Sequence, residues 1–179
     1  MGEMVLSSAL HIPQLKTIWL SCFPEDTRET VDLFFEMVYR PEECLVRIEE
    51  GIPVSMVFML PAVWQNGDVS WPVQYIYAAA TLPQWQKRGY FGKLLRKALA
   101  LAKQQGQKAS FLRPGEESLF AYYQRFGYKP FFYREYACVQ NPQYQPDSIA
   151  DVIQEIPFEE FPSLRDEVLS AKACCLSSC

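Results

Sequence analysis

A chain of 179 residues, 49% of them hydrophobic and 15% aromatic, has the material for one folded domain of ordinary size and is not compositionally disordered. Its formal net charge of −4 argues against nucleic acid as the main partner, because neutralising phosphates needs a basic face. No stretch reaches the ~20 apolar residues of a membrane span; the longest candidate, Ile52 to Trp64, is short and broken by Pro53 and Pro61.

The first ten residues, MGEMVLSSAL, lack the basic n-region of a secretory signal, and Leu6 stands where a myristoylation signal needs Ser or Thr. A cytoplasmic location is the expectation. Six cysteines occur, at positions 22, 44, 138, 174, 175 and 179, with His11 the single histidine. That set matches no zinc-ligand spacing, so no metal is expected.

Apolar residues at Ile12, Leu15, Ile18 and Trp19 predict a helix over His11 to Phe23. A second helix is predicted from Thr30 to Tyr39, with Val31, Phe34, Phe35 and Val38 on one side and Pro41 ending it. Alternation from Cys44 reads as a strand, and Gly51 to Pro53 turns the chain into a longer strand through Met59. Asn66-Gly67-Asp68 is a hairpin signal, followed by a strand from about Val69 to Thr81, where Pro72 predicts an edge or irregular start. Then come a turn, a helix from Tyr90 to Gln105 stopped by Gly106, and a short strand from Ala109. A helix is expected from Glu116, with acids in its first turn and Gly127 at its end, and then a strand over 128–140. Residues 141–179 read as a linker, a short helix starting at Ser163, and a Cys/Ser-rich tail, leaving 1–140 as the folded domain. The order predicts an α+β domain with a mixed sheet.

The stretch Gln86-Lys87-Arg88-Gly89-Tyr90-Phe91-Gly92 leads from a strand into an amphipathic helix. The first turn of a helix has unsatisfied N–H groups and a partial positive charge, Gly89 permits close backbone approach, and Lys87 and Arg88 add charge. Two readings fit: a pyrophosphate cradle, or a basic turn facing water. The spacing matches neither the Rossmann nor the Walker A glycine pattern.

In context, the chain resembles the GNAT superfamily of acyl-coenzyme A-dependent N-acyltransferases. Its hallmark, Q/R-x-x-G-x-G/A at the head of a helix after a central strand, is met by Gln86 through Tyr90, with Phe91 in the last place. Tyr123, Gly127 and Tyr128 fit the Y-x-x-x-G-F/Y ending of the next helix. "YIYAAATLPQWQKRG" and "FPEDTRETVDLFFEMVYRPEECLV" are similar to the N-terminal domain of acetyltransferases of the enhanced-intracellular-survival type, whose members are often longer.

The resemblance implies a three-layer α/β/α fold around a twisted, mostly antiparallel mixed sheet, with acetyl-CoA as cofactor. It implies that the pantetheine arm pairs with the strand at Ala79 and Thr81. Gln86, Lys87, Arg88, Gly89, Tyr90, Phe91 and Gly92 would hold the pyrophosphate, and an amide near Ala79 would polarise the acetyl carbonyl. Tyr123 is carried over as the acid that protonates the leaving thiolate. The strand from Val69 to Thr81 has no Asp, Glu or His, so the base stays open among Tyr75 or Tyr77 through water, Glu36, Glu49 and His11. Candidate walls for the acceptor are Phe34, Phe35, Tyr39, Trp64, Trp71 and Trp85. The expected reaction moves an acetyl group to a primary amine, on a small molecule or a protein, by direct attack. The alternative is an acyl-CoA-binding sensor with little or no turnover. No membrane partner is expected, and a homodimer is left open.

Overall fold

The structure, a computed structural model, describes residues 2–131. Every helix and strand among the described residues lies within one compact unit, Met1–Pro130. The elements are β1 (Glu3–Leu6), α1 (Ile12–Cys22), α2 (Arg28–Met37), β2 (Cys44–Glu49), β3 (Ile52–Asn66), β4 (Val69–Thr81), α3 (Tyr90–Gln104), β5 (Ala109–Leu112) and α4 (Leu119–Gln124). One sheet runs in the order β1-β2-β3-β4-β5; its pairs are antiparallel except β4–β5, which is parallel and joined through α3. The expected α+β class and the mixed, mostly antiparallel sheet are what the chain adopts.

Each face of the sheet carries its own core. On one face α1 and α2 contribute Leu15, Ile18, Trp19, Val31 and Phe35, packed on Val46, Met56 and Phe58. On the other, Leu94, Leu95 and Ala98 of α3 cover Leu45, Val57, Met59 and Ile76. Each fully buried Leu, Ile or Phe contributes about 1.5–3 kcal/mol relative to exposure, so the alternation along β2 and β3 fixes the register. Among the described residues no helix is long and apolar enough to cross a membrane.

Several expectations need correction. β1 went unpredicted: four residues with exposed ends carry too short a pattern to register, and pairing with β2 makes the strand. β3 runs past Met59 to Asn66, through Pro61, because β4 pairs with it to the hairpin tip, where Gly67 takes φ 57. α2 begins earlier than predicted, capped by the Thr27 side chain on the Thr30 amide. α4 is shorter, so Glu116 and Glu117 lie in the turn before it and not in its first turn. Of the strand predicted over 128–140, only 128–131 are described and they are irregular; the linker, the helix at Ser163 and the cysteine tail lie outside the described residues.

The feature that positions the site is in β4. Met56 pairs with Ala80 and Phe58 with Tyr77, so Val57 faces two residues, Ala78 and Ala79. This is a β-bulge, and Ala78 takes a left-handed φ of 41° to make it. The extra residue shifts the side-chain alternation. Tyr77 and Ala78, though adjacent, both pack on the α1/α2 core, while Ile76 and Ala79 pack on the α3 core.

Candidate active site at the split strand edge

β5 pairs with β4 only from Val73–Ala109 to Ile76–Leu112. Past Ile76 the two strands part, and the bulge comes immediately afterwards. The stretch Tyr77–Thr81 therefore has β3 on one side and no strand partner on the other, among the described residues. Leu82 N donates to Val54 O at 3.0 Å; by alternation, Thr81 turns its own backbone groups towards the open edge. The Thr81 carbonyl is already used there, accepting from Gln86 Nε2 at 3.1 Å and from the Cys22 thiol at 3.4 Å. Its hydroxyl shares a 2.7 Å hydrogen bond with Ser55, which fixes the end of the strand.

Beyond Thr81 the turn is left-handed at Lys87 (φ 61) and at Gly89 (φ 74), which is the N-cap of α3. The cap has no side-chain acceptor, and the first helical bond is Lys93 N to Gly89 O at 3.2 Å. None of the backbone N–H groups from Lys87 through Gly92 has an acceptor among the described residues. Left-handed residues alternating with others aim successive amides at one point, a geometry that suits anions. A Cβ at Gly89 would meet nothing within 4 Å, so open space lies over the turn.

The side chains of the motif divide into different tasks. Gln86 ties the turn to Thr81, as above. Arg88 lies over Trp85, 4.5 Å from the ring centroid, and donates to Gln84 O at 3.4 Å. Lys87 is exposed. Tyr90 packs on Trp85 and receives the Arg47 guanidinium on its ring at 5.0 Å. Phe91 does not crowd the amides: its ring turns inward, stacked on Tyr122 at 5.6 Å and edge-on to Tyr123 at 6.0 Å. Gly92 is buried, and a Cβ there would sit 3.2 Å from Phe126 and 3.3 Å from the Tyr122 hydroxyl. Its bareness lets α4 approach α3.

Tyr123 lies on α4 among Phe91, Tyr122 and Tyr128. Burial, and then the neighbouring Tyr122, push its pKa above the ordinary phenol value, so it stays protonated at neutral pH. Its hydroxyl has no hydrogen-bond partner among the described residues, in contrast to Tyr128, which is locked to Ser110 at 2.7 Å.

The candidate bases fare unequally. His11 Nδ1 accepts the Ser8 amide at 3.1 Å and caps the turn before α1. Glu49 is bonded to Arg47 and then to Tyr90, which lower its pKa and hold it charged away from the open edge. Tyr77 is pushed above its ordinary value by burial and then by Asp26, which unfits it as a base at neutral pH. Glu36 is exposed on α2. Tyr75 stacks on Phe111 at 4.7 Å.

The proposed acceptor walls do not form one surface. Phe35 and Tyr39 are core, 7% and 6% exposed, with the Tyr39 hydroxyl bonded to Ser7 and the Ser8 carbonyl. Trp64 and Trp71 pair with each other on the outer part of the β3–β4 hairpin, 4.9 Å between centroids. Ten residues separate Trp71 from Thr81, roughly 33 Å along a strand. Trp85 serves the turn. Phe34 alone of the set lies against Tyr77, at 5.7 Å. Sequence reasoning missed two residues here. One is Ala78, whose bulge leaves no compositional trace. The other is Asp26, in the α1–α2 loop, whose Oδ2 accepts the Trp19 indole N–H at 2.7 Å.

The site thus combines a mixed sheet that splits beside a bulge with helix amides that have no acceptor among the described residues at its foot. The sequence matches the family model described as the acetyltransferase (GNAT) domain over residues 7–131. The chain belongs to that family, whose enzymes use acetyl-CoA. No curated protein matches the sequence. Among solved structures, the chain is similar to a GCN5-related N-acetyltransferase from Anabaena variabilis, with 20% identity, a TM-score of 0.60, and coverage of 68% of this chain and 31% of that one. It is similar to a Trypanosoma brucei acetyltransferase at 11% identity and a TM-score of 0.62, covering 78% of this chain and 100% of that one. It is also similar to the aminoglycoside N-acetyltransferase AAC(6')-Iy solved in complex with CoA, at 14% identity and a TM-score of 0.60, covering 76% and 96%. These likenesses are of fold. The chain spans about a third of the length of the Anabaena protein and of a second solved structure, from Enterococcus faecalis.

Proposed function

We propose that the protein is an N-acetyltransferase that moves an acetyl group from acetyl-CoA to a primary amine by direct attack on the thioester. The observation that carries this reading is the row of acceptor-free amides from Lys87 to Gly92 at the foot of the open β4 edge. They fit a diphosphate, with the charge of Lys87 beside them. Bound acetyl-CoA would supply the activated acyl group. Ala79 and the Thr81 amide would hold its arm along the strand, and the bulge would expose an N–H to the acetyl oxygen. Tyr123, neutral and with a hydroxyl that has no hydrogen-bond partner among the described residues, would give its proton to the departing sulfur. The motif over 75–89 supports a finer kinship with the N-terminal domain of enhanced-intracellular-survival-type enzymes. A folded domain ending near residue 140 is part of the same reading.

Calorimetric titration of acetyl-CoA, with CoA release measured over a panel of amines, tests this. Binding that Gly89→Trp abolishes, together with amine-dependent release, is the expected result. Unaltered binding by Gly89→Trp would remove the cradle, and binding without release for any amine would turn the reading into a sensor.

A further inference from the structure

The open edge of β4 has an end. It runs from Thr81 back to Tyr77, roughly 16 Å of strand, and closes where β5 joins β4 at the Ile76–Leu112 rung. On the α3 face of that rung Ile76 is 4% exposed, in a core against which Leu112 and Tyr123 also pack. On the opposite face the neighbouring rung pairs Tyr75 with Phe111. Their rings lie flat on each other, 4.7 Å between centroids and 9° from parallel. Tyr75 stands two residues before Tyr77, on the same side of the sheet, and touches its ring at 5.5 Å; Tyr77 in turn touches Phe34 of α2 at 5.7 Å. The stacked pair therefore bridges β4 and β5 like a bar just behind the fork, buttressed by Tyr77 and Phe34.

Resting on the acetyl-transfer reading, we propose that the Tyr75–Phe111 stack limits the length of the acyl group, so that the donors are thioesters of short acids, of about two or three carbons. The amides from Lys87 to Gly92 would fix one end of the cofactor, and the strand edge leads from them to the fork. The thioester end of the arm therefore arrives at the fork. Carbons beyond the carbonyl have two ways onward. On the α3 face they meet Ile76 and Leu112, and entry there displaces packed side chains. On the α1/α2 face they meet the bar of stacked rings. Parting the stack forfeits its ring contact, and each further methylene forced into packed side chains adds to the cost. An acetyl methyl requires neither.

The test compares acetyl-CoA with hexanoyl-CoA as donors, using the amine of the panel that gives the fastest CoA release. In the wild type, kcat/KM for hexanoyl-CoA should lie about 10²-fold or more below that for acetyl-CoA. Phe111→Ala removes one ring of the bar and should bring the two donors within about 10-fold of each other. Tyr75→Ala removes the other ring and should do the same, so one variant decides if the other does not fold. A wild type that uses both donors equally overturns the limit, and so does a discrimination that the folded variants keep. If no amine releases CoA, acetyl transfer fails, and the limit is read from calorimetric dissociation constants instead. Hexanoyl-CoA binding at least about 10-fold more weakly than acetyl-CoA in the wild type, and within about threefold in the variant, supports it. Equal binding of the two thioesters by the wild type overturns it.

Discussion

At the scale of single residues, Tyr123 and Gly89 bear the most weight. Tyr123→Phe keeps the ring that packs on Phe91 and Tyr128 and removes only the hydroxyl, so kcat should fall by ~10²-fold or more with acetyl-CoA affinity unchanged. Because its pKa is raised, the proton it donates is present from acid through neutral pH and is lost only as the pH climbs past the usual phenol range. Steady-state pH profiles of turnover should show an alkaline limb in the wild type that Tyr123→Phe lacks, while the acid limb, set by protonation of the attacking amine, is common to both. Gly89→Ala puts a side chain where φ is 74°, which should cost about 1–2 kcal/mol of stability, read as a lower Tm, and should weaken CoA binding as well. Sequence alone made Gly89 legible, since only the backbone freedom of glycine suits a left-handed cap. The packing role of Gly92 was not legible: its φ is ordinary, and its bareness answers to the rings of Tyr122 and Phe126, some thirty residues further along the chain.

At the scale of elements, α3 and the β3–β4 hairpin could be read from local pattern, because a long amphipathic repeat and Asn66-Gly67-Asp68 are local signals. The bulge could not. Three alanines in a row say nothing of phase, and the phase is set by which partners Met56 and Phe58 take. β1 was illegible for the same reason: what makes it a strand is β2, some forty residues away in the chain. The bulge carries its own prediction. Deleting Ala78 would remove the extra residue and leave Tyr77, Ala79 and Ala80 opposite Phe58, Val57 and Met56 on their present faces, so the deletion should still unfold cooperatively by calorimetry while acetyl-CoA binding, which would use the bulge, weakens. Ala78→Gly, which accepts φ 41° without strain, should fold with a Tm close to or above wild type.

At the scale of the whole molecule, two buried acids set the alkaline limit. Burial pushes the Cys44 thiol from 9.0 up to about 12, and the Tyr128 phenol from 10.0 to about 12. The unfolded chain releases these protons first, so their contribution is complete below pH 9 and is lost as the pH rises towards 12. Circular dichroism against pH should show cooperative unfolding in that window, and Cys44→Ala should move its onset upward. The two cores also differ in where along the chain their parts are found. Everything in the core under α1 and α2 comes from before residue 86, whereas the opposite core needs Leu94, Leu95 and Ala98. On the ribosome, the core under α1 and α2 can therefore assemble while α3 is still being translated, and a nascent chain arrested between the two would have one face of its sheet packed and the other bare.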